Sequence, residues 1–132
     1  MQVIANSNRK LLLFFLVSAV IFKMLTFFFS VIDIDESTYL LIGKEIFKGN
    51  WLYVDYYDTK PPGIFLIFGF LEFITGHGIF FTRLLAALLV GITSYLLFKL
   101  KLKISGNRYA SIFAGLAYLI LASMYRFTFA AN

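Results

Sequence analysis

The chain of 132 residues contains no cysteine, one histidine and two prolines, and only 14% of its residues are charged. Without cysteine there is neither a disulfide framework nor thiolate chemistry, and one histidine alone is too few ligands for a zinc site. Soluble domains carry about 25% charged residues, and disorder requires low hydrophobicity. The composition therefore argues against a soluble globular domain and against a disordered chain.

Apolar residues make up 61% of the chain, and aromatic residues make up 20%. A domain of this size leaves much of its surface exposed, so one small core cannot hide that much apolar area. Residence in a membrane is the simplest interpretation. Because each span needs about 20 residues, the chain offers only a few spans.

The net charge of +5 is distributed in a way that indicates membrane topology rather than nucleic-acid binding. All seven acids lie between Asp33 and Glu72. Two zones outside that stretch contain bases and no acid, and their bases are Arg9, Lys10, Lys99, Lys101, Lys103 and Arg108. Bases collect on the cytoplasmic side of membrane proteins. We therefore expect a multi-pass protein of the plasma (inner) membrane with a cytoplasmic N-terminus and the acidic stretch outside.

The apolar runs predict an all-α membrane protein with about three transmembrane helices, over residues 11–32, 79–100 and 108–126. The first run could imitate a signal peptide, but it is too long for one and no small-x-small cleavage site follows it. We expect residues 1–132 to form a single membrane domain with residues 33–78 as an outer loop.

Two interfacial helices are predicted within this outer loop, over residues 36–48 and 61–76. In the first, Tyr39 and Ile42 lie on an apolar face, whereas Lys44, Glu45 and Lys48 lie on the opposite face. The second is apolar except for Glu72 and is too short to span comfortably. A crossing there would also place the later basic cluster on the acidic side, which the distribution of bases opposes.

Close helix contacts are suggested by two pairs of small residues at a spacing of four, Ala87/Gly91 and Ser111/Gly115. An ionisable residue near the middle of a span is by default a candidate for function. For Lys23 in the first span we favour a structural role.

The chemistry-bearing residues of the outer loop form two clusters, around Asp35-Glu36 and around Asp55, Asp58 and Lys60. Carboxylates can act as a general base, a metal ligand or a hydrogen-bond anchor for a sugar, and a lysine on a rigid turn can bind a phosphate. From their spacing alone, structural roles are the simpler interpretation. Asp35 could cap a helix, the two later aspartates could be solvated loop residues, and Lys60 could be an interfacial anchor.

These residues resemble the N-terminal part of GT-C-type integral-membrane glycosyltransferases of the dolichyl-phosphate-mannose–protein mannosyltransferase and aminoarabinose transferase superfamily. The resemblance covers roughly residues 10–126. It rests on an Asp-Glu pair followed by an aromatic residue, a Tyr-x-Asp-x-x-Asp-x-Lys-Pro-Pro-Gly stretch and an Arg-Leu opening the next span, at residues 35–39, 53–63 and 83–84. Leu52 departs from the pattern, because related sequences often have proline before the tyrosine.

The resemblance implies an enzyme that transfers a sugar, with inversion, from a polyprenyl-phosphate-linked donor to an acceptor hydroxyl at the outer membrane face. By the same resemblance Asp35 matches the catalytic base or acceptor-orienting residue, and Glu36 supports it. Lys60 matches the residue on the lipid phosphate, and Arg83 contributes to the same cationic environment. The other residues expected at the substrate site are Tyr39, Asp55 and Asp58.

No cofactor is expected, and a metal is not obligatory, although Asp55 and Asp58 leave one possible. The expected partners are the lipid-linked donor, the bilayer and an acceptor that is a lipid, a glycan or a protein, but no nucleic acid. Three spans can hardly enclose donor and acceptor together, so the chain is expected to be the N-terminal piece of a larger enzyme. The alternative is a small non-enzymatic subunit of a transporter or membrane assembly.

Overall fold

A computed structural model describes residues 2–28 and 34–124, with side chains from residue 8 onward. This part of the chain is helical and contains no β-strand. Helix α1 continues into a short 3₁₀-helix over Met24–Phe28. The five α-helices are α1 (Gln2–Lys23), α2 (Ile34–Phe47), α3 (Pro62–Thr75), α4 (Gly78–Ser105) and α5 (Arg108–Ser123). The predicted all-α class is confirmed for the described residues.

The predicted boundaries of α2 and α3 agree with the structure to within two residues at each end. The long helices differ more. Helix α1 begins at Gln2 rather than residue 11, and α4 continues to Ser105 rather than 100. Lysine, arginine and glutamine have good helix propensity, so an apolar run marks a membrane segment better than it marks a helix end. The predicted span ends at residues 32 and 126 lie outside the described residues.

Two segments are long and apolar enough to cross a membrane: Asn8–Phe28, with 21 residues, and Gly78–Ser105, with 28. Helices α3 and α5 are apolar but shorter, with 14 and 16 residues. At about 1.5 Å per residue, α3 would be roughly 21 Å long, less than a bilayer core of about 30 Å. A third crossing by α5 stays a prediction.

The described residues form two compact units. The first, here called the three-helix unit, comprises residues 2–25 and 86–124. Its core consists of Phe15, Ala19, Phe98 and Leu119, each at most 2% exposed. The aromatic rings of Phe15 and Phe98 lie 6.2 Å apart between centroids. Lys23, at the end of α1, is also buried.

Glycines allow the closest approaches within the three-helix unit. A Cβ atom on Gly91 would lie 2.9 Å from the Cα atom of Leu16, and one on Gly115 would lie 2.8 Å from the carbonyl oxygen of Ser94. Both distances are shorter than real Cβ contacts. The small residues at Gly91 and Gly115 thus mark helix contacts, as their spacing predicts.

The second unit, here called the acidic unit, comprises residues 26–28 and 34–85. Within it α2 and α3 run parallel, because contacts advance in the same direction along both helices. Successive contacts join Asp35 to Lys60, Tyr39 to Phe65, Gly43 to Gly69 and Phe47 to Phe73. The connection over residues 48–61 therefore has to return to the level at which α2 begins, and it brings Lys60 back beside Asp35.

Apolar packing holds α2 and α3 together over Tyr39, Ile42, Phe65 and Phe68, all buried. The opposite face of α3 is apolar as well, and its exposed side chains are Leu66, Ile67, Phe70 and Ile74. Such a face suits contact with lipid or with other apolar helices. It agrees with the predicted interfacial position of α3, which stays a prediction.

Candidate functional site

The carboxylate of Asp35 and the ammonium of Lys60 lie together at the point where α2 and α3 both begin. The Lys60 Nζ atom is 3.7 Å from Asp35 Oδ2, and each side chain is 35% exposed. The Tyr39 hydroxyl donates a hydrogen bond of 3.4 Å to the same carboxylate oxygen. Asp35, Tyr39 and Lys60 are called the Asp35 cluster below. The structure thus brings together two groups that the sequence separates by 25 positions.

Position in a helix explains how Asp35 and Tyr39 meet. They are four residues apart, so their side chains share one face of α2. Asp35 lies in the first turn, where a negative charge is favoured by the helix dipole. Because α2 begins at Ile34, Asp35 stands inside the first turn rather than at the capping position before it.

The backbone of Lys60 is fixed on both sides. Its N–H donates to Asp58 Oδ1 at 2.9 Å, and its carbonyl oxygen accepts from the Tyr53 hydroxyl at 2.6 Å. The following Pro61 is extended, with φ −65° and ψ 150°, and precedes the first residue of α3. Lys60 therefore has an ordered backbone and a side chain that reaches solvent.

The surroundings shift the pKa of two side chains of the Asp35 cluster, Lys60 and Tyr39. The electrostatic effect of the nearby Tyr39 oxygen and its hydrogen bond raise the pKa of Lys60, and the carboxylates of Asp35 and Asp58 raise it further. Burial raises the pKa of the Tyr39 phenol, and the negative charge of Asp35 adds to this effect. Lys60 is thus a stable cation, and the Tyr39 hydroxyl keeps the proton that it donates.

Glu36 and Arg83 form a buried ion pair in the same unit. Arg83 Nε donates to Glu36 Oε1 at 2.8 Å, and Nη2 donates to Oε2. The two residues are 7% and 5% exposed. Arg83 Nη1 also donates to the carbonyl oxygen of Thr26. The guanidinium therefore links α4 to the start of α2 and to the 3₁₀-helix, a role that the sequence did not indicate.

The two aspartates of the loop bond to backbone N–H groups. Asp55 Oδ2 accepts from the Trp51 N–H at 2.7 Å, and Asp58 accepts from Lys60 as described. Both carboxylates thus shape the loop that carries Lys60. Among residues 2–28 and 34–124, no three His, Cys, Asp or Glu side chains are grouped so that they could hold a metal ion.

Glu45 joins the end of α2 to the loop through its carboxylate. Its side chain is 18% exposed and accepts bonds from Lys48 at 2.6 Å and from Asn50 at 2.7 Å. The Tyr56 hydroxyl donates to it from 3.3 Å. These bonds, that of Lys48 first, lower the pKa of Glu45. A carboxylate with partners in a distant loop gives no periodic signal in the sequence.

Glu72 is the polar residue of α3, and it lies beside an open cleft of about 420 Å³. Its carboxylate pairs with Lys44 at 2.7 Å and accepts from the Gly78 N–H at 2.6 Å. The Lys44 bond, followed by that from Gly78, lowers the pKa of Glu72. His77 also lines the cleft. This cleft is lined by none of the three residues of the Asp35 cluster.

Comparisons with family models, with curated proteins and with solved structures gave no match. The resemblance to GT-C glycosyltransferases therefore stays a prediction that rests on sequence motifs alone.

Proposed function

We propose that this chain carries the base and the phosphate-binding cation of a membrane glycosyltransferase of the GT-C type. The donor is a sugar linked to a polyprenyl phosphate, and the acceptor is a hydroxyl group. The observation that carries the proposal is the contact between Asp35 and Lys60. The motif that suggested the function is divided between two segments of the sequence. The fold brings its carboxylate, Asp35, next to its ammonium group, Lys60.

In the proposed reaction, the donor phosphate takes the place of Asp35 as the partner of the Lys60 ammonium. The long, flexible lysine side chain permits this exchange. Asp35 then accepts the proton of the acceptor hydroxyl while the oxygen of that hydroxyl attacks the anomeric carbon of the donor sugar. The bond from that carbon to the phosphate oxygen breaks with inversion, and the polyprenyl phosphate leaves with an added negative charge, which Lys60 stabilises.

The neighbouring groups have supporting roles in this proposal. Tyr39 orients the Asp35 carboxylate, and Asp58 holds the backbone of Lys60. Asp55 shapes the loop. The side chains of Glu36 and Arg83 form an ion pair with each other. Through this buried pair, Arg83 positions the start of α2, beside Asp35.

The proposal includes the finer topology. The chain would cross the plasma membrane three times, with α5 as the third span, a cytoplasmic N-terminus and residues 33–78 on the outer face. Helices α2 and α3 would lie at that face, where the lipid phosphate of the donor is. The exposed aromatic residues Trp51 and Tyr57 are of the kinds that settle at headgroup level.

Replacing Asp35 by Asn and Lys60 by Ala tests the assigned roles. In membranes carrying the protein, release of polyprenyl phosphate from polyprenyl-phosphate-linked mannose or aminoarabinose should fall by about 100-fold or more in each variant, the usual loss for a base or a charge-stabilising group. Lys48→Ala is the matched control, since Lys48 is an exposed, paired lysine of the same unit. Full turnover in Asp35→Asn or Lys60→Ala would remove the role assigned to that residue.

The alternative, a small subunit of a transporter or membrane assembly, is favoured by one observation: the exposed apolar face of α3. It predicts that both substitutions leave the assembly functional and that the chain co-purifies with one partner in fixed ratio. The same variants, examined by affinity purification, therefore separate the two functions.

A further inference from the structure

Six bases lie at one end of the three-helix unit, here called the basic end: Arg9, Lys10, Lys99, Lys101, Lys103 and Arg108. We propose that the basic end binds an anionic phospholipid, with the headgroup phosphate on the bases and an acyl chain along α4. This inference does not depend on glycosyl transfer, since it concerns the other unit.

Packing within the unit brings these bases to one level. Gly115 lies against the Phe15 ring. A Cβ atom on Gly115 would be 2.7 Å from Phe15 Cζ. Leu119 shares a core cluster with Ala19, four residues further along each helix. Helices α1 and α5 are therefore parallel and aligned. Along the helix axes, the levels of Arg9 and Arg108 differ by at most about one helical turn.

Helix α4 joins the same level from the opposite direction. Gly91 lies against Leu16, and Gly115 approaches the Ser94 carbonyl. Counting from Leu16 to Arg9 and from Gly91 to Phe98 covers the same number of residues, hence the same rise. Lys99 and Lys101 therefore lie within about one helical turn beyond the level of Arg9.

The described residues of the three-helix unit include bases but no acidic residue. No aspartate or glutamate occurs among residues 2–25 or 86–124, and all six bases are exposed. The Lys99 ammonium also lies 5.8 Å from the centre of the Tyr95 ring. Clusters of four to eight bases next to a membrane-crossing helix attract anionic headgroups.

Apolar side chains next to these bases favour a lipid over a soluble phosphate. Leu96, Leu100 and Ile104 are exposed at a spacing of four on α4, and they form one stripe. Lys99 and Lys103 flank this stripe on the same side of the helix. A phospholipid presents an anionic group at the end of an apolar chain, which matches a stripe that ends among bases. A nucleotide or inorganic phosphate would leave the stripe uncovered.

The test uses the purified 132-residue protein in detergent micelles that contain equal amounts of phosphatidylglycerol and phosphatidylcholine, with retained lipids counted by native mass spectrometry. The protein should retain more phosphatidylglycerol. In Lys99→Gln/Lys103→Gln this preference should fall about five-fold or more, since each base near an anionic surface contributes roughly that factor. The other four bases remain to keep the orientation during insertion.

Two matched variants complete the design. Lys99→Arg/Lys103→Arg keeps the charges and should keep the preference, whereas Lys44→Gln/Lys48→Gln removes two charges from the acidic unit and should also keep it. If the first Gln variant fails to fold, raising salt from about 0.05 to about 0.5 M on the unchanged protein screens the same charges and should reduce the preference.

Three results would overturn the inference. They are equal retention of both lipids by the unchanged protein, an unaltered preference in Lys99→Gln/Lys103→Gln, and displacement of phosphatidylglycerol by millimolar inorganic phosphate. The last result would identify a soluble anion as the ligand. Loss of the preference with Gln, its retention with Arg and resistance to phosphate together support the lipid site.

Discussion

Asp35 and Glu36 are neighbours in the chain, but their carboxylates have different surroundings. Consecutive residues of a helix point about 100° apart. Glu36 therefore turns into the unit and meets Arg83, whereas Asp35 turns toward solvent and meets Lys60. The acidic pair thus combines a structural anchor with an accessible group. This division favours Asp35 over Glu36 as the group that meets a substrate.

The buried ion pair predicts a stability effect at the scale of single residues. Arg83→Met or Glu36→Leu alone leaves the other charge buried without its partner, which should lower the free energy of unfolding by about 3–5 kcal/mol. The double variant removes both charges, so its loss should be smaller than the sum of the single losses. Thermal or denaturant unfolding in detergent measures all three.

Lys48→Gln is the control for that experiment. Its ion pair with Glu45 is exposed on the lysine side, at 65% of the side chain, and exposed pairs contribute little to stability. Additive losses in the double variant, or single losses no larger than that of Lys48→Gln, would contradict the anchoring role of Glu36 and Arg83.

The packing of α2 against α3 depends on glycines that face each other. A Cβ atom on Gly43 would lie 2.5 Å from the Phe65 carbonyl oxygen and 2.6 Å from the Gly69 nitrogen. Both contacts are with backbone, which cannot move aside without separating the helices. Because the parallel alignment of α2 and α3 is what brings Asp35 to Lys60, these two glycines also determine the geometry of the Asp35 cluster.

Alanine at Gly43 or Gly69 should therefore destabilise the protein by about 1–3 kcal/mol, the usual effect of overpacking. Gly63→Ala is the matched control within α3, since a Cβ atom there meets nothing within 4 Å. It should be neutral or stabilising, because alanine favours helix over glycine by about 0.5–1 kcal/mol. Melting temperatures in detergent provide the measurement. Equal melting of the Gly43→Ala and Gly63→Ala variants would show that the helices do not need this contact.

The helices themselves could be predicted from the sequence, because apolar runs and the helical spacing of apolar residues are local signals. The boundaries of α2 and α3 agree for that reason. The facing of Gly43 and Gly69, the return of Lys60 to Asp35 and the pairing of Glu36 with Arg83 could not be predicted by pattern. Each joins residues that are distant in sequence, and nothing in the local periodicity identifies the partner. Glycines inside a helix were the one available hint of close packing.

At the scale of the whole molecule, the apolar side chains lie in two kinds of place. Part of it forms the cores of the two units, and the rest is exposed along α1, α3, α4 and α5. A soluble protein rarely exposes so much contiguous apolar surface, whereas a bilayer accepts it. In the proposed topology α4 crosses the bilayer, and its 28 residues, roughly 42 Å long, exceed a hydrocarbon core of about 30 Å.

The absence of cysteine makes this topology directly testable, because one introduced thiol is the only site for a maleimide. Tyr57→Cys lies in the connection over residues 48–61, where Tyr57 is 87% exposed. Ser105→Cys lies at the exposed end of α4. In intact cells a membrane-impermeant maleimide should label Tyr57→Cys at once and Ser105→Cys only after permeabilisation. The unchanged protein, without a thiol, is the control.

Labelling of both variants in intact cells would mean that α4 does not cross the membrane. The reverse pattern would keep the crossing and invert the orientation, which would place the Asp35 cluster in the cytoplasm, on the wrong side for a donor presented at the outer face.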